Sequence, residues 1–153
     1  MGLDMYLNKK TYVKKWNHTP EHSVYNITID RERGHGIKTE RVTFIEEELM
    51  YWRKANQIHK YFVDTVGKGE DNCQEMYVDT ETIEDLIDKL KKVVKAKDDS
   101  VSRKLLPTGS GFFFGSTEYD EYYYEECEVT LNELSNLMDD GDLDGDIYYQ
   151  ASW

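Results

Sequence analysis

Apolar and polar positions alternate in LDMYLNKKTYV, residues 3–13, and again in SVYNITID, residues 23–30. Both runs are rich in aromatic and β-branched residues, and a two-residue period of this kind marks strands with one buried face. They predict two strands of an antiparallel sheet, joined through the turn-forming HTPEHS at 18–23 and followed by the Gly-punctuated loop RERGHG at 31–36. From Phe44 to Val66 the period lengthens: Ile45, Leu49, Trp52, Ala55, Ile58, Phe62 and Val66 form one stripe, with Gly67 as a stop, which predicts a first helix. A second helix follows the loop GKGEDNCQ, with Ile83, Leu86, Ile87, Leu90, Val93 and Val94 at 3,4 spacing behind Asp79 or Thr80 as cap. Its acids come early and its lysines late, so the run KLKKVVKAK is explained by the helix dipole. A third helix is expected from Ser116 or Thr117 to about Met138, its inner stripe made of Tyr119, Tyr123, Cys127, Thr130, Leu134 and Leu137, and the closing DIYYQASW reads as a strand. Together these give an α+β fold spanning 1–153 as one domain: a small antiparallel sheet, built from the N-terminal strands and the C-terminal strand, packed with three helices.

Composition fits a globular chain, with 39% hydrophobic, 33% charged and 13% aromatic residues. No run approaches the ~20 apolar residues of a membrane span, and the opening MGLDMYLNKKTYV has no apolar signal core, so a cytoplasmic protein without a membrane partner is expected. Cys73 and Cys127 form no CxxC pair and have no metal-ligand spacing to His18, His22, His35 or His59, so both are expected as free thiols. The net charge is −12, and it is placed unevenly: residues 105–153 carry 12 acids and no Lys or Arg. That asymmetry disfavours direct binding to nucleic acid and favours either a solvated acidic face or a basic protein partner.

Three stretches carry candidate chemistry. On the helix expected at 44–66, Asn56 and His59 fall beside Trp52 and Val63 on the buried side, while Arg53, Gln57, Lys60 and Asp64 point outward. Asn56 and His59 either tie helix to sheet as bonded core groups, or hydrogen-bond a small nucleotide-like ligand stacked on Trp52 with Arg53 at the rim. The stretch GSGFFFGSTEYDEYYYEE, residues 109–126, delivers three phenylalanines into a helix start capped by Ser116 or Thr117. No Lys follows the glycines, and Glu118, Asp120 and Glu121 already occupy the dipole, so a phosphate loop is not expected. Phe113 is expected to pin the helix to the core. Tyr119, Tyr122, Tyr123 and Tyr124 cannot all face inward, which leaves exposed tyrosines such as Tyr122 and Tyr124 among Glu118 and Glu121 as a protein-binding surface. From Asp140, the residues Asp140, Asp142, Asp144, Gly145 and Ile147 match five positions of a calcium loop. Ala151 stands where the bidentate Glu belongs, so an acidic turn without metal is expected. No cofactor is implied, and no residue set supplies a nucleophile with its base, so a binding role outranks catalysis.

The combination MGLDMYL, YWRKANQIHKYF, LPTGSGFFFGSTEYDEYYYE and IYYQASW resembles a group of short proteins encoded by bacteriophages and by bacteria carrying phage-derived genes. The resemblance covers most of the chain and brings no activity with it. It implies an accessory role in the infected bacterial cytoplasm. The first expectation is that the chain blocks a host factor, such as a defence component, through its acidic Tyr-rich surface. The second is that it sequesters a small nucleotide-like signal, and the third is a small hydrolase or transferase.

Overall fold

The computed structural model describes residues 2–153. Its first strand, β1 (Asp4–Tyr12), is central: it pairs antiparallel with β2 (Phe44–Arg53) on one side and with β4 (Asp146–Ser152) on the other. A three-residue strand, β3 (Met76–Val78), pairs antiparallel with β4, so the sheet order is β2-β1-β4-β3. Alternation along β1 does what the sequence pattern requires. Leu3, Met5 and Leu7 are fully buried, while Tyr6, Asn8 and Lys10 stand on the opposite face. On that open face the cross-strand pairs Tyr6–Tyr51 and Tyr12–Phe44 bring their rings to 5.4 and 5.1 Å, the kind of contact that stabilises a sheet by about 0.2–1 kcal/mol each. Register slips between Leu7 and Asn8, which leaves Leu49 unpaired as a bulge in β2. β2 is an edge strand, and Glu46, Glu47 and Glu48 lie exposed along it.

Four helices complete the α+β fold: α1 (Asn56–Thr65), α2 (Thr80–Ala96), α3 (Asp99–Leu105) and α4 (Glu121–Asp139). One continuous core joins the inner sheet face to them, with Trp52, Phe62 and Tyr149 among the largest buried side chains. Asp79 caps α2 by accepting the Thr82 N–H at 2.8 Å, and its buried stripe of Ile83, Leu86, Ile87, Leu90 and Val93 is the one the spacing predicts. α2 stops where Lys97 enters the left-handed region at φ 45, and Asp98 at once caps α3 by accepting from Ser100 and Val101. α4 buries Tyr123, Cys127, Thr130 and Leu134.

Four expectations are corrected. Phe44–Arg53 is a strand rather than the first half of a helix, because β1 takes a second partner there, and the helix begins only after the reversal at Lys54. The 4,3 spacing of Ile45, Leu49 and Trp52 is produced instead by the bulge, which moves Leu49 out of the two-residue alternation. Residues 23–30 form no strand: both edges of β1 are occupied, so SVYNITID lies in a long excursion between β1 and β2, broken only by single 3-10 turns at Glu21–Ser23 and Thr39–Arg41. The described residues form four helices, one more than expected, because the short α3 carries too little periodicity to be seen in sequence. And α4 starts behind Asp120, which accepts the Tyr123 N–H at 3.0 Å, rather than at Ser116 or Thr117.

Glu126 lies half-buried on α4, and its carboxyl is pushed above the usual range by burial, with Glu125 adding repulsion. A carboxyl whose folded value is raised stabilises the fold below its unfolded value and loses that stability as pH rises through the folded one. Glu126→Gln therefore raises the melting temperature near neutrality, and the gain vanishes below about pH 4, the unfolded glutamate range. Thermal melts across pH check both halves.

Candidate binding cleft

The site begins at the junction of β2 and α1. Lys54 sits in the left-handed region at φ 60, its N–H donates to Leu3 O at 2.8 Å and its carbonyl accepts the Asn56 N–H at 2.9 Å. A non-glycine residue held there stores about 1–2 kcal/mol of backbone strain. α1 then starts at Ala55 without a side-chain cap and without an acid in its first turn, and the Gln57 N–H makes no backbone hydrogen bond. Six of its ten residues are buried: Asn56, Gln57, Ile58, His59, Tyr61 and Phe62. A helix so enclosed has no solvent face in its first turn, which corrects the expected outward direction of Gln57.

Asn56 holds the loop that precedes α4. Its Nδ2 donates to Phe114 O at 2.9 Å and Ser116 O at 2.8 Å, and its Oδ1 accepts the Gly109 N–H at 3.1 Å. The loop curls so tightly that a Cβ at Gly111 would stand 2.6 Å from the Phe114 ring, so only glycine fits there. Phe114 is the anchor, buried edge-on against His59 with ring centroids 5.1 Å apart. The expected anchor Phe113 is half-buried, and Phe112 is 94% exposed at the tip. Gly115, at φ 84, then turns the chain past the Lys54 side chain.

His59 is committed to the fold. Its Nδ1 lies 2.7 Å from the Tyr149 hydroxyl and its Nε2 3.0 Å from Asp71 Oδ2, while Asp71 Oδ1 accepts from the Trp153 indole at 3.1 Å. Burial, with Asp71 adding to it, holds the Tyr149 hydroxyl well above its ordinary value, so it stays neutral. Both imidazole nitrogens are engaged. Trp52 is 2% exposed, donates to Thr130 Oγ1 at 2.9 Å and packs against Phe62 and Tyr149. It offers no face to a ligand, and Arg53 is exposed on the open sheet face opposite Asp4. The expected pocket of Asn56 and His59 stacked on Trp52 is thus replaced: these side chains meet in the core, where their polar atoms are consumed by protein.

A different cleft opens beside them, about 250 Å³, lined by Lys54, Gln57, Ser116, Glu118, Asp120 and Tyr122 among others. Gln57 is 4% exposed, and its side chain makes one weak bond among the described residues, Nε2 to Cys127 Sγ at 3.8 Å. Its amide oxygen accepts no hydrogen bond from the protein and belongs to the cleft wall. The Cys127 thiol is pushed up to about 12, chiefly by burial, so it remains a neutral partner. Ser116 Oγ accepts the Glu118 N–H at 3.1 Å, leaving its own proton free to donate. The cleft therefore joins the bare N-terminus of α1 and the Lys54 side chain to two acidic residues, the Gln57 amide and Tyr122.

Of the residues singled out in sequence, Asn56, Ser116, Glu118 and Tyr122 converge on this cleft. Thr117 and Glu121 are exposed. Tyr119 is half-buried, accepts the Thr108 N–H at 3.1 Å and carries Arg103 over its ring. Tyr124, expected at the surface, is buried and accepts from Ser102 Oγ at 3.1 Å, because α3 covers that side of α4. Asp140, Asp142 and Asp144 lie in the turn between α4 and β4, shaped by Gly141 at φ 75 and Gly145 at φ 123 around buried Leu143. Among the described residues, no three His, Cys, Asp or Glu side chains come together to hold a metal ion. Lys54, Gln57 and Asp71 escaped sequence reasoning. Helical periodicity places Gln57 opposite the stripe of Ala55, Ile58 and Phe62 wherever the helix begins; it is buried because the segment 115–123 covers that side of α1. No protein-family model, curated protein or solved structure matches the chain.

Asn56→Ala removes three hydrogen bonds and strands buried backbone groups, at a cost of about 3 kcal/mol. Denaturant unfolding measures the loss, and amide exchange at Gly109 speeds up as the loop comes free. His59→Ala costs about 1–3 kcal/mol by stranding Tyr149 and Asp71. Equal stability of this variant and the parent in denaturant would remove His59 from the core network.

Proposed function

We propose that the chain is a binding protein that holds a small polar molecule in the cleft at the N-terminus of α1. The observation that carries this is Gln57: an almost wholly buried side chain whose amide oxygen meets no protein donor and opens to the cleft, where water or a bound molecule supplies the donor. Strain at Lys54 points the same way, since backbone strain concentrates where a side chain must be aimed. At about 250 Å³ the cleft falls below the ~300–1,000 Å³ of drug-sized sites, which suits a nucleoside or a monosaccharide. Glu118 and Asp120 disfavour a polyanion and favour hydroxyl or amine donors, with Tyr122 available to cover a ring. In the setting implied by the phage resemblance, such a protein removes a small signalling molecule from the host.

A second proposal is that the chain docks on a host protein through α4. It is favoured by Tyr122, 57% exposed between Glu118, Glu121 and Glu125. The burial of Tyr123 and Tyr124 leaves this face one exposed tyrosine, which is why the cleft ranks first.

Gln57→Leu tests the preferred proposal. The substitution replaces an amide whose protein contacts end at one weak bond by an apolar group of similar size, so the melting temperature changes little, while binding of adenosine, D-ribose or free amino acids, followed by ligand-observed NMR, falls at least tenfold. Absence of binding by the parent chain to all three classes would discard the cleft as a ligand site and leave the α4 surface.

A further inference from the structure

On the far side of the helical layer, α2 and α3 enclose a shallow groove of about 540 Å³. Its floor is Ala96, Val101 and Leu105, and its walls are Lys92, Lys95 and Lys104. The spacing explains how they meet. Lys92, Lys95 and Ala96 share one face of α2, Val101, Lys104 and Leu105 share one face of α3 by the same i, i+3, i+4 rule, and the reversal at Lys97 turns the two faces toward each other. The position of these lysines near two helix C-termini suits the helix dipoles. It does not account for a bare apolar floor between them.

Their ion pairing is the second observation. The chain has 31 acids, yet the ion pairs among the described residues are Lys10–Glu75, His59–Asp71, Lys60–Asp64 and Lys89–Asp85, and none involves Lys92, Lys95 or Lys104. Nearby Arg103 is committed to the Tyr119 ring, 4.6 Å away. Three lysines and no carboxylate thus line an apolar strip, with Asp85 near enough to feel the charge of Lys92, in a protein whose net charge is −12.

We infer that this groove is a docking site for an acidic amphipathic helix of a protein partner. The apolar stripe of such a helix covers Ala96, Val101 and Leu105, and carboxylates one turn apart pair with the three lysines. Charge complementarity selects the occupant. A basic segment is repelled, and a free fatty acid would leave most of its alkyl chain in water, because three side chains on an open floor do not enclose it.

The probe is a synthetic 18-residue peptide with leucine at i, i+3, i+4 and i+7 and glutamate on its other face. Its counterpart with lysine in place of glutamate is the control. In amide-resolved NMR titrations of the full chain, the acidic peptide is expected to shift Ala96, Val101, Leu105 and their neighbours. Its affinity is expected to drop at least tenfold in Lys92→Gln/Lys95→Gln/Lys104→Gln, whose exposed substitutions preserve helix propensity. The lysine peptide is expected to leave these signals unmoved. Silence at the groove up to millimolar acidic peptide, equal binding of the lysine peptide, or full affinity in the triple variant each overturns the assignment. So does decanoate binding there in preference to the peptide. Sedimentation of the chain alone supplies the last outcome: dimers lost in the triple variant would make the occupant a second copy, presenting Tyr122 and Val129 on its own α4, and would also overturn it.

Discussion

One buried amide sets the position of everything around the cleft. Asn56 satisfies two carbonyls and one N–H of the segment 109–116, and these three bonds are what fix an irregular, glycine-rich loop against the first turn of α1. Without a partner of that chemistry the loop would have to bury its own backbone groups unsatisfied or abandon the core to water. Phe114 can then enter beside His59, the chain can turn at Gly115, and Asp120 can open α4 where Tyr123 reaches Leu106 O at 2.7 Å. Among the described residues, no other side chain ties α1 to the approach to α4 through three bonds. Leu3 adds a weaker tie by donating to Phe113 O at 3.3 Å.

The contrast between Asn56 and its neighbour Gln57 is instructive. Both are nearly fully buried amides on one turn of one helix. The first has every polar atom matched by backbone, which is the signature of a structural role. The second has one long contact to sulfur and an oxygen facing a cleft, which is the pattern expected when the matching donor arrives from outside. Lys54 compounds the difference: its left-handed backbone weakens the fold slightly while turning the chain so that α1 opens toward the cleft. Lys54 and Gln57, one turn apart at the start of α1, both weaken the fold locally, and the function is proposed there.

Regular elements with clean periods were legible in the sequence. β1, α2 with its Asp79 cap, the body of α4 and the closing strand all follow from spacing, because each presents one face to one core. The failures share a cause. β2 has a bulge at Leu49, which breaks the two-residue alternation and lets a helical stripe be drawn from Ile45 through Trp52. That one misplaced boundary moved the start of α1 twelve residues upstream and stacked a ligand on Trp52, while Gln57, outward by periodicity, is buried by the segment 115–123 that the pattern could not foresee. The alternation of SVYNITID was real but the segment pairs with no strand, since strand pairing depends on residues far away in sequence. Of the candidate site, the ingredients Asn56, Ser116, Glu118 and Tyr122 could be named in advance. Their meeting place could not, because it depends on a loop held by side-chain bonds to a distant helix.

The three glutamates of β2 have a consequence beyond the fold. An edge strand ten residues long offers a row of unsatisfied backbone donors and acceptors to any similar strand, and this one adds exposed Phe44, Ile45 and Tyr51. Glu46, Glu47 and Glu48 place consecutive negative charges along that row, so two copies that pair edge to edge with these residues opposed meet like charge. The Leu49 bulge further spoils a continuous ladder. Protection of this kind is electrostatic and weakens with ionic strength. Salt therefore decides whether concentrated solutions of the chain stay clear or begin to form cross-β aggregates from this one edge.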